Sequence, residues 1–229
     1  MVRIFQIILC TFTIFFFLGC KKRPKVKPEN YLQTGYYYLK AREYSLALEY
    51  FFKAKRYKDD FDTNFLIAYT LYKQKNYKDA LKFLNEALKF DKKNARGLIL
   101  KGDIYLALND LNRAKSYYFQ IIKNKDYPNY YLAYYKLGLI YLKNNQIDQA
   151  KKYFLLSYYN NPYYVAPQKE LIKIYLKKNN LKKAKKFLKN LLILVPNDKE
   201  VKKLKREIES RERQIENKKE NEDANFIIF

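Results

Sequence analysis

Apolar and small residues return along this chain with two nested periods. The shorter is helical: Leu132, Tyr135, Leu139 and Leu142 form one stripe, and Tyr134, Leu137, Gly138 and Tyr141 form a second on the same segment. Spacings of three and four place such residues on one face of a helix, and no two-residue alternation competes with them. Two stripes on one helix mean that both sides are in contact, or that one side lines an open groove. The longer period is marked by Ala47, Ala80, Ala114, Ala150 and Ala184, spaced 33, 34, 36 and 34 residues apart. Self-similarity at that interval predicts an array of repeated supersecondary units. Each unit reads as two amphipathic helices joined by a short turn, as at Lys75-Asn76-Tyr77 and Asn144-Asn145-Gln146. Small residues at Gly102, Gly138, Ala114 and Ala150 let paired helices approach, and tyrosine and phenylalanine fill the remaining space. A single hairpin leaves an apolar face bare, so neighbours must stack, and about three are needed for a stable core.

The sharpest copy reads Tyr134-x-x-Leu137-Gly138-x-x-Tyr141, then Ala150-x-x-x-Phe154 and Pro162. It resembles the tetratricopeptide repeat, with Tyr134 in place of the usual tryptophan. Tyr31, Gly35, Tyr38, Ala47, Phe51 and Ala54 keep the register in the first copy, and Ile67, Ala68, Leu71, Ala80, Leu84 and Ala87 in the second. Leu98, Gly102, Tyr105, Ala114 and Tyr118 keep it in the third, and Leu171, Ile172, Tyr175, Ala184, Leu188 and Pro196 in the fifth. Thr34 and Lys101 stand where leucine is usual, and the fifth copy lacks the glycine. The resemblance implies an all-α fold, a right-handed α-α superhelix of about five helix hairpins over residues 29–196. The repeats are placed at 29–60, 61–94, 95–128, 131–164 and 165–196. Pro196-Asn197-Asp198 ends the last one and begins a charged capping helix within 197–219, whose only apolar stripe is Val201, Leu204, Ile208 and Ile215. Terminal repeats require such polar cover. Residues 220–229 are expected to form a mobile tail.

Ahead of the array, Arg3 is followed by an apolar run from Ile4 to Leu18 that ends in Gly19-Cys20. A basic residue, an apolar stretch of about 7–15 residues and a small residue before the cut describe a secretory signal peptide, here residues 1–19. A cut before cysteine resembles the bacterial lipobox, which implies that Cys20 receives palmitate-type lipid and becomes the first mature residue. Phe17 and Leu18 depart from that pattern. Residues 20–28 then form a basic tether, and its stretch from Lys21 to Pro28 spans at most about 25–30 Å. An uncleaved membrane anchor competes with this assignment. Lys21, Lys22, Arg23, Lys25 and Lys27 crowd the far side of the apolar run, and positive charge normally stays in the cytoplasm. Both assignments tie the array to a membrane.

Composition narrows the chemistry. Cys10 and Cys20 are the only cysteines and histidine is absent, so the array has neither a thiol nucleophile, nor a disulfide, nor a zinc site built on those residues. Ser45, Ser116, Ser157 and Ser210 have no base beside them. No catalytic residue, metal or cofactor is expected, and the chain reads as a non-enzyme. The cluster Asp59, Asp60 and Asp62 fits calcium ligation or helix capping, and loops between helices favour the caps.

In tetratricopeptide proteins the first helix of each repeat lines a concave groove. Carried over, that groove presents Tyr36 from repeat one, and Phe65, Tyr69 and Tyr72 from repeat two. Repeat three adds Ile99, Asp103 and Leu106, repeat four adds Tyr135, Leu139 and Leu142, and repeat five adds Lys169 and Lys173. This implies an aromatic surface with a cationic C-terminal end, suited to a peptide with apolar anchors and an acidic end. A net charge of +24 and the basic patch Lys178, Lys182, Lys183, Lys185 and Lys186 fit nucleic acid, anionic lipid or an acidic protein. Codon bias on a solvated face accounts for the lysines as well. The functional expectation is a membrane-anchored scaffold lipoprotein of the bacterial cell envelope, periplasm-facing or on the surface, that binds protein or peptide partners. By resemblance, such lipoproteins include a subunit of the outer-membrane β-barrel assembly machinery, pilotins of type IV pili and regulators of cell-wall hydrolases. The alternatives are a cytoplasm-facing anchored protein that binds nucleic acid or anionic lipid, and a transporter accessory that holds a small apolar ligand.

Overall fold

The computed structural model describes residues 27–123, 127 and 129–226, with side chains as far as 218. The predicted signal peptide, Cys20 and most of the tether lie outside the described residues. Among those described there are eleven α-helices and no strand. After a 3-10 turn at Pro28–Asn30, α1 (Tyr31–Lys40) pairs with α2 (Tyr44–Tyr57), and α3 (Phe61–Lys73) with α4 (Tyr77–Phe90). Then α5 (Ala95–Ala107) pairs with α6 (Leu111–Lys123), α7 (Tyr131–Lys143) with α8 (Ile147–Asn160), and α9 (Val165–Lys177) with α10 (Leu181–Leu194). The single helix α11 (Lys199–Phe226) packs on α10 and α9. Each hairpin also packs on the next, which gives the stacked solenoid that the sequence period implies. Among the described residues no helix is long and apolar enough to cross a membrane.

The period has a packing cause. Sixteen residues after Gly35, Ala68, Gly102, Gly138 and Ile172 stand Phe51, Leu84, Tyr118, Phe154 and Leu188, all buried. Where the first-helix residue is glycine, its partner is an aromatic ring lying flat on the backbone. A Cβ at Gly138 would come within 2.5 Å of the Phe154 ring, and one at Gly102 within 2.6 Å of Tyr118. Where it is Ala68 or Ile172, the partner shrinks to leucine. The fifth repeat therefore does without glycine because Leu188 leaves room. A second recurring pair sits twelve residues apart: Tyr38–Tyr50, Tyr105–Tyr117, Tyr141–Tyr153 and Tyr175–Phe187 stack with centroids 5.5, 5.6, 5.0 and 5.9 Å apart. Offset aromatic pairs of this kind contribute about 0.5–1.5 kcal/mol beyond their area.

Every turn within a hairpin is built alike. Arg42, Lys75, Asn109, Asn145 and Asn179 adopt positive φ, between 51 and 64°. In each turn the following amide reaches back across the turn to a carbonyl of the helix, as Glu43 N to Tyr38 O at 2.9 Å and Gln146 N to Tyr141 O at 2.9 Å. This double-bonded helix end satisfies carbonyls that the helix leaves unpaired.

The second repeat is the weakest match in sequence because Asn64 stands where the pattern has an aromatic residue, and Gln168 does the same in the fifth. Both are fully buried and fully bonded. The Asn64 amide donates to Asp59 and to the Asp60 carbonyl, and its oxygen accepts from Lys55 at 2.8 Å. Gln168 donates to the Pro162 carbonyl at 2.7 Å and accepts from Asn190 at 2.7 Å. These amides tie down the loops between repeats, a task that Tyr134 performs in the fourth repeat by packing on Tyr130.

The Asp cluster is likewise spent on structure. Asp60 caps α3 through the Thr63 amide at 2.9 Å, Asp59 pairs with Lys55, and Asp62 pairs with Arg96 at 3.0 Å. The capping helix buries Val201, Leu204 and Ile208, leaves Ile215 exposed, and runs to Phe226. It therefore continues past residue 219, into the segment where the sequence suggests a tail, because that stretch carries no glycine or proline to stop it.

Candidate functional site: the first-helix face

The first helices of the hairpins, α1, α3, α5, α7 and α9, present one continuous face. Its start is aromatic. Phe61, Phe65, Tyr69, Tyr72 and Tyr77 form an unbroken chain of ring contacts, with centroids 5.6, 6.2, 6.4 and 6.0 Å apart. Three cations rest on these and neighbouring rings. Lys40 Nζ lies 5.0 Å from the Tyr36 centroid, Lys73 Nζ 5.0 Å from Tyr69, and the Arg96 guanidinium 4.4 Å from Phe65. Phe65 is almost wholly buried in the core of the first two repeats, whereas Tyr36 is 47% exposed and Tyr69 and Tyr72 are half-buried. The accessible aromatic surface is thus formed by the three tyrosines.

The middle of the face is polar and already paired. Asp103 accepts from the Tyr118 hydroxyl at 2.6 Å and forms an ion pair with Lys136 at 2.9 Å. Burial, reinforced by the Asp103 carboxylate, raises the Tyr118 pKa well above the ordinary tyrosine value, and the same two causes raise Tyr72. Tyr164, raised by burial and by Tyr135, Tyr131 and Asp103 in turn, shows that the same carboxylate is felt one repeat further on. Asp103 is therefore a clasp between repeats three and four rather than a free ligand group. Ile99 and Leu106 are half-buried against the neighbouring core. Tyr135, Leu139 and Leu142 are half-buried over the next core, and the Tyr135 ring lies 5.3 Å from Tyr164 and 5.8 Å from Phe154.

The far end differs from the cationic surface that the sequence implies. Lys169 meets Asp198 at 2.8 Å and Glu200 at 3.1 Å, and Lys173 meets Glu170 at 2.9 Å and Glu200 at 2.7 Å. Desolvation pulls both lysines down, but the carboxylate hydrogen bonds outweigh it, and both stand above the usual lysine value. Hydrogen bonds from Lys173 and Lys169 hold Glu200 and Asp198, respectively, below theirs. Glu170 belongs to α9 itself, whereas Asp198 and Glu200 come from the start of α11, a helix whose sequence suggests only solvation.

The predicted basic patch is also partly consumed. Lys178 pairs with Asp148 at 2.6 Å and Lys185 with Glu212 at 2.6 Å, while Lys183 rests 5.7 Å from the Tyr175 centroid. Lys182 and Lys186 remain exposed, with no carboxylate partner among the described residues. Cys20 lies outside the described residues. Lys40, Arg42, Tyr44 and Lys73 belong to the face although motif reasoning passes over them. The repeat register held the signal: Tyr36 and Tyr69 are 33 residues apart, and so are Lys40 and Lys73.

Comparison with known proteins agrees with this architecture. A family model described as tetratricopeptide repeat matches residues 71–126, and another of the same description matches 32–95 and 99–165. The TPR repeat-containing protein MJ1428 of Methanocaldococcus jannaschii is 33% identical over 138 residues, 57% of this chain and 23% of that protein. The chain thus spans about a quarter of the length of that relative. Among solved structures, pilF of Pseudomonas aeruginosa is similar with a TM-score of 0.68 at 21% identity, over 81% of this chain and 86% of that one. PilW, described as a widely conserved type IV pilus biogenesis factor, gives 0.64 at 18% identity, over 75% and 79%. A thermophilic TPR protein of Thermus thermophilus, TTC0263, gives 0.63 at 19%, over 80% and 98%. At such identities the likeness is one of fold.

Proposed function

Because the chain belongs to the tetratricopeptide repeat family, we propose that it is a membrane-anchored scaffold lipoprotein that binds segments of other proteins along its first-helix groove. Its setting is the assembly or maintenance of the bacterial cell envelope, and its role is binding rather than catalysis. One observation carries the binding role: the tyrosines of repeats one and two stand accessible at the end of a chain of ring contacts, next to cations held on ring faces. Rigid aromatic side chains give large contact area at low entropic cost and are enriched among residues that dominate binding energy. Anchoring is supported by sequence features alone, the basic residue Arg3, the apolar run to Leu18 and Gly19-Cys20. The envelope setting is supported by the similarity to a type IV pilus biogenesis factor.

The alternative, in which a lysine-rich face binds nucleic acid or anionic lipid, retains less free charge than the sequence implies, since Lys178 and Lys185 are paired. The transporter-accessory reading needs an enclosed apolar cavity, and the hollow nearest the aromatic strip is open and ringed by cations.

Affinity purification from membranes, with wild type beside the double variant Tyr69→Ala, Tyr135→Ala, tests the groove. The variant is expected to lose its protein partners while keeping wild-type helical content by circular dichroism; retained partners would end the groove assignment. Labelling with a palmitate analogue is expected to mark wild type and not Cys20→Ala, and equal labelling of both would remove the lipoprotein assignment.

A further inference from the structure

Exposed apolar side chains are not spread evenly over the array. Because each hairpin is antiparallel, the first helices start and the second helices end on one edge, while the hairpin turns lie on the other. The starting edge exposes Leu32 in α1, Tyr57 and Phe90 at the ends of α2 and α4, Tyr159 and Tyr163 around the end of α8, and Ile193 in α10. The turn edge exposes Leu108, and Ile215 on the projecting end of α11. Single exposed apolar residues need no explanation, but a row of them along one edge marks a contact surface. Tyr57 and Phe90 stand 33 residues apart in the same register, 68% and 55% exposed. Neither ring meets another ring among the described residues. Cations accompany them. Lys27, Arg56, Lys92 and Lys93 are exposed on the same stretch of edge and pair with no carboxylate among the described residues. The acids Asp59, Asp60, Asp62 and Glu86 beside them are each bound to a cation of their own, which leaves Glu29 and Asp91. The chain also enters the array here, from Lys27 through Pro28–Asn30 into α1.

We infer that the first two repeats rest this edge on an anionic lipid surface, with Tyr57 and Phe90 in the headgroup layer and Lys27, Arg56, Lys92 and Lys93 against lipid phosphate. This rests on the membrane anchoring proposed above and adds an orientation to it. The stretch from Lys21 to Pro28 reaches at most about 25–30 Å, so an anchor near residue 20 keeps this end of the edge beside the bilayer. Aromatic rings suit the interface between water and hydrocarbon. Lysine and arginine lay their stems along apolar surface while the charged ends stay with the phosphates, each adding to the attraction. Seated edge-on, the array keeps its first-helix face turned sideways, open to protein partners.

The sequence has no tryptophan, so a single Phe90→Trp reports on that position alone, and Tyr57→Trp serves as a second reporter. The full chain, purified from bacterial membranes, is placed in vesicles of phosphatidylcholine and phosphatidylglycerol, with and without brominated acyl chains. Flotation is measured on the same samples, and circular dichroism checks that each variant keeps wild-type helical content. Emission from Phe90→Trp and Tyr57→Trp is expected to shift to the blue and to be quenched by brominated lipid. Leu108→Trp, on the opposite edge, is expected to show neither change. Adding Lys27→Gln, Arg56→Gln, Lys92→Gln and Lys93→Gln to Phe90→Trp is expected to reduce the quenching about twofold or more. Vesicles that carry the chain while residues 90 and 57 stay unquenched would overturn the inference and leave the anchoring intact. A chain that fails to float with the vesicles would end the anchoring and the inference with it. Equal quenching at 90 and 108 would overturn it in favour of an array without fixed orientation, and quenching unmoved by the four glutamines in favour of a contact that ignores lipid charge. A blue shift already present in detergent and growing with protein concentration would overturn it in favour of contact between two copies of the chain.

Discussion

The two ends of the array treat matching positions in opposite ways. Tyr36, Tyr69 and Lys173 occupy the same place in their repeats, yet the first two wall an open hollow beside cations that pair with no carboxylate among the described residues, and the third is tied to two carboxylates. A lysine at a groove position thus says little about available charge until the next helix in the stack is known. The turns differ in parallel. The first two carry Arg42 and Lys75 in the left-handed conformation, where a Cβ is strained, whereas the last three carry asparagine, which tolerates it. The near end is therefore the more open and the more strained, and the far end is closed and relaxed.

The largest effect that would sharpen this contrast is expected at Gln168. Gln168→Ala removes a fully buried amide and leaves Asn190 and the Pro162 carbonyl without their partner. It should cost about 3 kcal/mol in urea unfolding, in line with other broken buried networks. Asn64→Ala should cost less, about 1–2 kcal/mol, because Lys55 and Asp59 still pair with each other towards solvent. Equal costs would mean that the two ends are equally rigid.

A smaller effect is expected from Asp198→Asn with Glu200→Gln. It should lower the melting temperature by a few degrees, because Lys169 and Lys173 lose their partners at the start of α11. Acid should act in the same direction on wild type. Asp198 and Glu200 ionise below their ordinary values of 3.8 and 4.5 in the folded chain, so the unfolded chain binds more protons over that interval. Their contribution is complete above about pH 4.5 and disappears as pH falls through the depressed folded values. Helical content followed from pH 6 to pH 2 should show a shallower acid limb in the double variant than in wild type. The smallest effect is a gain: Lys75→Gly should stabilise the chain by about 0.5–1 kcal/mol by relieving the left-handed turn, while Asn145→Gly should give almost nothing.

Much of the fold was legible because stacking imposes arithmetic on the chain. The alanine ladder and the spacing from Gly138 to Phe154 report helices pressed close together, and a repeated contact must repeat in sequence. The weak repeats were harder to read, since Asn64 and Gln168 do by hydrogen bonding what an aromatic residue does by packing, and a pattern of apolar positions cannot register that exchange. The aromatic part of the groove was visible in Tyr36, Tyr69, Tyr72 and Tyr135. Its charge was not, because apart from Glu170, which pairs with Lys173 from the same helix, the acids that silence Lys169 and Lys173 lie about 30 residues further along, as in the Lys169–Asp198 bond. Asp103 looked available for the same reason: its partner Lys136 lies 33 residues away.

The last helix has a consequence for growth. A pile of like hairpins has no natural last member, and a bare top would be a template for the bottom of another copy. Val201, Leu204 and Ile208 seal that top, and the outer side of α11 shows a newcomer mostly lysine, arginine and glutamate. A second molecule arriving head to tail on this side of α11 would meet charge and water where it would need oil, which disfavours propagation into a filament from that end.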